Sequence, residues 1–184
     1  MRLFGDWQAE RDRKRRATSF VRALHAEPAE EEVAWLAAAA AGGDADHARW
    51  EWRYARRALG LLVAQRDALD DRTPSLVAQE LSEALARDPH IAVGALALAE
   101  RQFNERLAAY RDALASRSGE PIGTRLGRIL LAFTGMVRPK PEVLAHATTI
   151  LARQLTEVGT ALAHAFGGPS LPEDVPPSAV GGAQ

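Results

Sequence analysis

The sequence reads as all-α: a single-domain antiparallel helical bundle of about six to seven helices. Three observations carry this. Almost every segment repeats its apolar residues with a helical period, and none alternates as a strand would. Ala, Leu, Arg and Glu, all strong helix formers, dominate. Proline and glycine fall between the periodic segments, as helix punctuation does. The 184 residues suffice for one domain with a real core, and a chain of this size buries about 70% of the surface its unfolded form exposes.

A basic amphipathic helix is expected first, in residues 1–27. Leu3, Phe4 and Trp7 make one apolar patch and Phe20, Val21 and Leu24 another, with Arg11-Asp12-Arg13-Lys14-Arg15-Arg16 between them. The bundle proper is expected over 28–167. Pro28 breaks the chain, and a short helix follows over about Ala29 to Ala41. Glu30, Glu31 and Glu32 lie in its first turn, where acids favour the positive helix end. Gly42-Gly43 ends it.

Asp44 then caps a helix running to about Leu69. Its seam is Ala48, Trp52, Ala55, Leu59, Leu62 and Leu69, spaced 4, 3, 4, 3 and 7. Asp70 to Pro74 is a turn in which Thr73 is the expected N-cap and Pro74 the first helical residue. Val77, Leu81, Ala84 and Leu85 face inward on the helix that follows. Asp88-Pro89 repeats the cap-then-proline start. The longest helix is expected from Pro89 to about Ser116, roughly 40 Å, with Ala92, Leu96, Ala99, Phe103, Leu107, Tyr110 and Leu114 inward.

Pro121 opens a helix containing Gly123, Gly127 and Gly135, which only close packing would hold. Its apolar residues are Ile122, Leu126, Ile129, Leu130 and Phe133. The last helix, about Glu142 to Phe166, carries the seam Val143, Ala147, Ile150, Leu151, Gln154, Leu155, Val158, Leu162 and Phe166. Residues 168–184 are rich in Pro, Gly, Ser and Ala and are expected to be a disordered tail. No fixed-period repeat suggests a solenoid.

Composition excludes several functions. There is no cysteine, hence no disulfide, thiol nucleophile or thiolate metal site. The net charge of −1 creates no global field towards nucleic acid. Apolar runs such as Ile91 to Ala99 fall short of the ~20 residues of a membrane span. No secretory signal is read at the start, and cytoplasm is the expected location. No Gly-x-Ser-x-Gly elbow, phosphate loop, dinucleotide fingerprint or His-Glu-x-x-His motif occurs, and catalysis is not the expectation.

Six features compete for a role. Arg11, Arg13, Lys14, Arg15 and Arg16, with Trp7 at their flank, could bind a polyanion or an acidic membrane surface. The plainer reading is a solvated face with Glu30, Glu31 and Glu32 as partners. Arg53, Arg56 and Arg57 have no acid three or four residues away, and Trp50 and Tyr54 flank them. This set could hold a phosphate, a carboxylate or an acidic partner. The plainer reading pairs them with acids on other elements, such as Glu100, Glu105 or Asp70. Trp50, Tyr54 and Leu61, offset from the main seam, could form an apolar contact patch.

The pairs His47/Glu51 and Glu142/His146 share helix faces but lack the Glu-x-x-His spacing of di-iron bundles, so no metal or other cofactor is expected. His25, His47, His90, His146 and His164 are scattered, and the last two are separated by about 27 Å of helix. Thr73 to Leu85 faintly suggests a helix-turn-helix. The helix that would read bases offers no Arg, Lys, Asn or Gln until Arg101 and Gln102.

The expected function is therefore a non-enzymatic interaction module, an adaptor or accessory subunit that binds a protein partner or itself. A peripheral membrane or polyanion-binding protein is the first alternative. A small-molecule-binding bundle, with its pocket beside the glycine-containing helix, is the second.

Overall fold

The computed structural model describes residues 2–68 and 70–167, the side chains of residues 2–6 excepted. Among these residues it is an all-α bundle of seven helices without strands: α1 (Arg2–Leu24), α2 (Glu30–Ala39), α3 (Ala45–Asp67), α4 (Arg72–Ala86), α5 (Leu96–Ala115), α6 (Ile122–Phe133) and α7 (Pro141–Phe166). Leu69 and the expected tail, 168–184, lie outside the described residues, as do the side chains of Leu3 and Phe4.

Helix α3 is the axis around which the others pack; it touches all six. Its expected seam is fully buried from Ala48 to Leu62. So is nearly everything between Glu51 and Ala64, including Glu51, Arg53 and Arg57. A helix buried all round is normally apolar all round. Here charged faces enter the core, so each buried charge needs a partner. Asp44 caps α3 as expected, accepting from the His47 N–H at 2.9 Å.

Three expectations need correction. The helix anticipated from Pro89 begins only at Leu96. Gly94 adopts φ +86°, a left-handed conformation no helix contains, and Pro89 to Ala95 form turns with Val93 wholly exposed. Helix α5 is thus about 30 Å long rather than 40 Å, and Ala92 is exposed instead of inward. The cap of α4 is not Thr73, which lies buried inside the helix. Asp70 takes the role, accepting from Arg72 N (2.9 Å), Thr73 N (2.7 Å) and Thr73 Oγ1 (3.0 Å). A carboxylate satisfies three donors at once, which a hydroxyl cannot.

The third correction concerns glycine. Gly123 and Gly127 do sit where helices meet: a Cβ on either would lie 3.1 Å from the Thr148 backbone of α7. Gly135 plays no such part; it follows the end of α6 with φ +96°. Elsewhere, α1 enters the core through Ala17, Phe20, Val21 and Leu24, and Phe20 meets Phe166 of α7 edge-on at 6.4 Å. Trp52 of α3 donates its indole N–H to the Glu32 carbonyl of α2.

Candidate functional site

The arginine row of α3 lies among charged partners brought in by other elements. Arg53 bonds both oxygens of Glu27 at 2.9 Å. Arg56 reaches Glu157 of α7 at 3.3 Å and the Ala23 carbonyl. Arg57 bonds Asp88 at 2.7 Å. The partners are therefore Glu27, Asp88 and Glu157, not Glu100, Glu105 or Asp70. Trp50 does carry guanidinium on its face, with Arg53 5.0 Å and Arg57 6.0 Å from its ring centre. Tyr54 donates to Gln102 of α5 and is 3% exposed, and Leu61 is 5% exposed. Tyr54 and Leu61 thus belong to the interior while Trp50 is half-buried, and the three do not make an outward apolar patch.

Arg57 has an unusual environment. Its Nη2 touches both Asp88 and the Nδ1 of His25, 3.1 Å away. A guanidinium only donates, so His25 Nδ1 must accept and Nε2 carries the proton. Burial, reinforced by the Arg57 charge, lowers the His25 pKa to about 4. Burial alone would raise Asp88, but the bond from Arg57 and the His90 N–H hold its carboxyl below the usual range. Arg57 Nε and Nη1, and His25 Nε2, are buried with no partner.

One buried pair had no warning in the sequence reading. Glu51 of α3 takes a two-pronged bond from Arg106 of α5, at 3.1 Å and 2.6 Å. The side chains are 3% and 9% exposed. Arg106 is sandwiched over Tyr54 and Phe133, 5.3 Å and 4.3 Å from their ring centres. Both residues sit beside seam positions, the one clue that their charges would be buried. His47 adds a contact to Glu51 at 3.4 Å.

The N-terminal half of α1 is different in kind. From Trp7 to Asp12 every residue is exposed, and Glu10 approaches Arg72 of α4 at 3.9 Å. Trp7 is 59% exposed, and Arg11 stacks on it at 5.3 Å. Among the described residues Arg13 pairs with Glu10 and Arg15 with Asp12, both on their own helix. Lys14 approaches Glu80 of α4 at 3.8 Å, and Arg16 reaches the Phe166 carbonyl at 3.5 Å. Of the three acids expected as partners, two are engaged elsewhere: Glu30 holds Arg49, and Glu32 holds Arg153.

Among the described residues no group of three or more His, Asp or Glu side chains is arranged to hold a metal ion. His146 stacks on Trp35, ring centres 4.4 Å apart. No helix described is long and apolar enough to cross a membrane. No family model, curated protein or solved structure matches the chain.

Proposed function

We propose that the protein is a non-enzymatic helical interaction module that docks through the N-terminal half of α1 onto an anionic surface, most directly an acidic lipid bilayer. One observation carries the reading: the exposed helix end with Trp7 near its tip and cations one to three turns behind it. Residues 7–16 hold five cations against Glu10 and Asp12. Exposed ion pairs along one helix are weak, so these cations remain available to stronger partners. An indole suits the headgroup region, and each Lys or Arg near an anionic leaflet contributes about 1 kcal/mol. The rest of α1 is held by the core, so the exposed half is presented on a rigid base. This reading favours a cytoplasmic location, where the anionic leaflet faces.

Co-sedimentation with vesicles tests it. Neutral phosphatidylcholine vesicles are compared with vesicles containing phosphatidylserine, at low and high salt. Retention on the anionic vesicles alone, lost at high salt and in Arg11→Gln/Arg13→Gln/Arg15→Gln, supports the proposal. Absence of retention at low salt, or retention of that variant, overturns it. Stronger binding to duplex DNA than to anionic vesicles would replace the lipid reading with a nucleic-acid one.

A further inference from the structure

A groove of about 510 Å³ lies between α1, the turn from α3 to α4 and the C-terminal end of α7. None of its lining residues belongs to the glycine-containing helix α6, beside which the sequence reading expected a pocket. Ala68, Leu162, Ala163 and Phe166 supply its apolar floor, and Arg13 and Arg16 of α1 stand at its side. Two acids also line it, but both are engaged. Arg66 holds Asp67 with two bonds, at 2.6 Å and 2.7 Å, and Asp70 accepts the three cap bonds of α4. The arginines are less committed. Arg13 holds the exposed Glu10 at 3.3 Å, a kind of pair that contributes little. Arg16 forms no ion pair among the described residues and reaches only the Phe166 carbonyl, at 3.5 Å. Around the groove Arg13, Arg16, Arg66 and Arg72 face Glu10, Asp67 and Asp70, which leaves positive charge in excess.

The chain itself leaves the bundle here. Gly167, the last described residue, lines the groove, and residues 168–184 follow it. That segment contains Glu173 and Asp174 and no Lys, Arg or His. Leu171 and Val175 flank the two acids. Its charge and its apolar residues complement those of the groove.

We propose that residues 171–175, Leu-Pro-Glu-Asp-Val, fold back into this groove, with their carboxylates on Arg13 and Arg16 and their apolar residues on the α7 floor. The length of chain allows it. Glu173 is the sixth residue after Gly167, a reach of up to about 20 Å when extended, and Arg16 already touches the carbonyl next to the exit. Closing so short a loop costs little, and the tether gives the contact an effective concentration in the millimolar range. Contacts that are weak one by one therefore suffice. Pro172 and Pro176 restrict the undocked segment, which lowers the entropy lost on docking. Any other occupant, a second copy included, would have to displace a segment tethered at the mouth of the groove. Arg11, Lys14 and Arg15 do not line it and are left to the surface contact proposed above.

NMR of the isotope-labelled full chain tests this, independently of any lipid binding. Arg13 and Arg16 are remote from the tail in sequence, so a tail substitution reaches them only through docking. Glu173→Gln/Asp174→Gln should shift the amides of Arg13, Arg16, Ala68 and Ala163 and leave those of α5 in place. Order parameters at Leu171, Glu173, Asp174 and Val175 should exceed ~0.6 in wild type and fall below that value in the variant. Arg13→Gln/Arg16→Gln should release the same four residues while the circular dichroism of the bundle stays unchanged. The proposal fails if the tail variant moves no groove amide, if its tail order parameters equal those of wild type, or if the arginine variant keeps the tail ordered. Differences that vanish on dilution would place the tail in the groove of a second copy and overturn the fold-back.

Discussion

Glu51 and Arg106 give the sharpest test of how this core tolerates charge. The pair is two-pronged, nearly solvent-free and capped by two aromatic rings. Glu51→Ala leaves a buried guanidinium whose other bonds are to the Gln102 carbonyl, at 3.3 Å, and to the exposed Glu105. Removing one partner of such a pair costs about 3–5 kcal/mol, because the remaining charge stays desolvated. In a domain of this size each kcal/mol moves the midpoint by ~2–4 °C, so the single variant should melt about 6–20 °C lower. Arg106→Met should lose a similar amount by stranding the carboxylate. The double variant Glu51→Leu/Arg106→Met strands neither charge and should recover most of the loss, to within ~2 kcal/mol of wild type. Urea unfolding followed by circular dichroism closes the cycle. Single variants costing under ~1 kcal/mol, or a double variant as unstable as the two losses added, would refute this account of the interior.

Three further outcomes follow from the geometry. Gly127→Ala should destabilise by ~1–3 kcal/mol, since its Cβ would press on the Thr148 backbone, whereas Gly159→Ala, with open space around it, should stabilise by ~0.5–1 kcal/mol; equal urea midpoints for the two would contradict the close α6–α7 approach. His25 titrates near 6.5 when unfolded and near 4 when folded, so the unfolded chain binds the extra proton and stability falls as pH drops through that window. Because His25 is only partly buried, the loss is ~1–2 kcal/mol, and His25→Gln, which keeps an acceptor for Arg57, should flatten the slope between pH 7 and 5; an unchanged slope would assign it to other groups. Asp70→Ala should cost ~1–2 kcal/mol and exceed Thr73→Ala, whose hydroxyl makes only one of the three cap bonds; the reverse order would restore Thr73 as the cap.

The legible part of this fold is what local chemistry decides. Helical periodicity located all seven helices, and the apolar seam of α7 is buried or half-buried at every residue from Val143 to Phe166. Boundaries slipped where two local signals competed. Pro89 and Gly94 lie five residues apart, and only the backbone shows that the glycine's left-handed turn outranks the proline's helix start. Asp70 and Thr73 are both good caps, and donor count decides between them. The arginine row was legible as unsatisfied within its own helix, but not as satisfied by Glu27, Asp88 and Glu157. Those partners arrive from 26, 31 and 101 residues away, by tertiary packing that spacing rules do not reach. A cavity of about 350 Å³ was hidden for the same reason: its wall draws on Arg57 of α3, Leu81 of α4 and Phe103 of α5.

The exposed half of α1 can be tested at one residue. The chain has no cysteine, so Gln8→Cys accepts a single environment-sensitive fluorophore one residue from Trp7. On vesicles containing phosphatidylserine the account predicts a blue-shifted emission and protection from an aqueous quencher, both reversed by high salt. Emission and quenching unchanged on those vesicles, or changed equally on neutral ones, would contradict it.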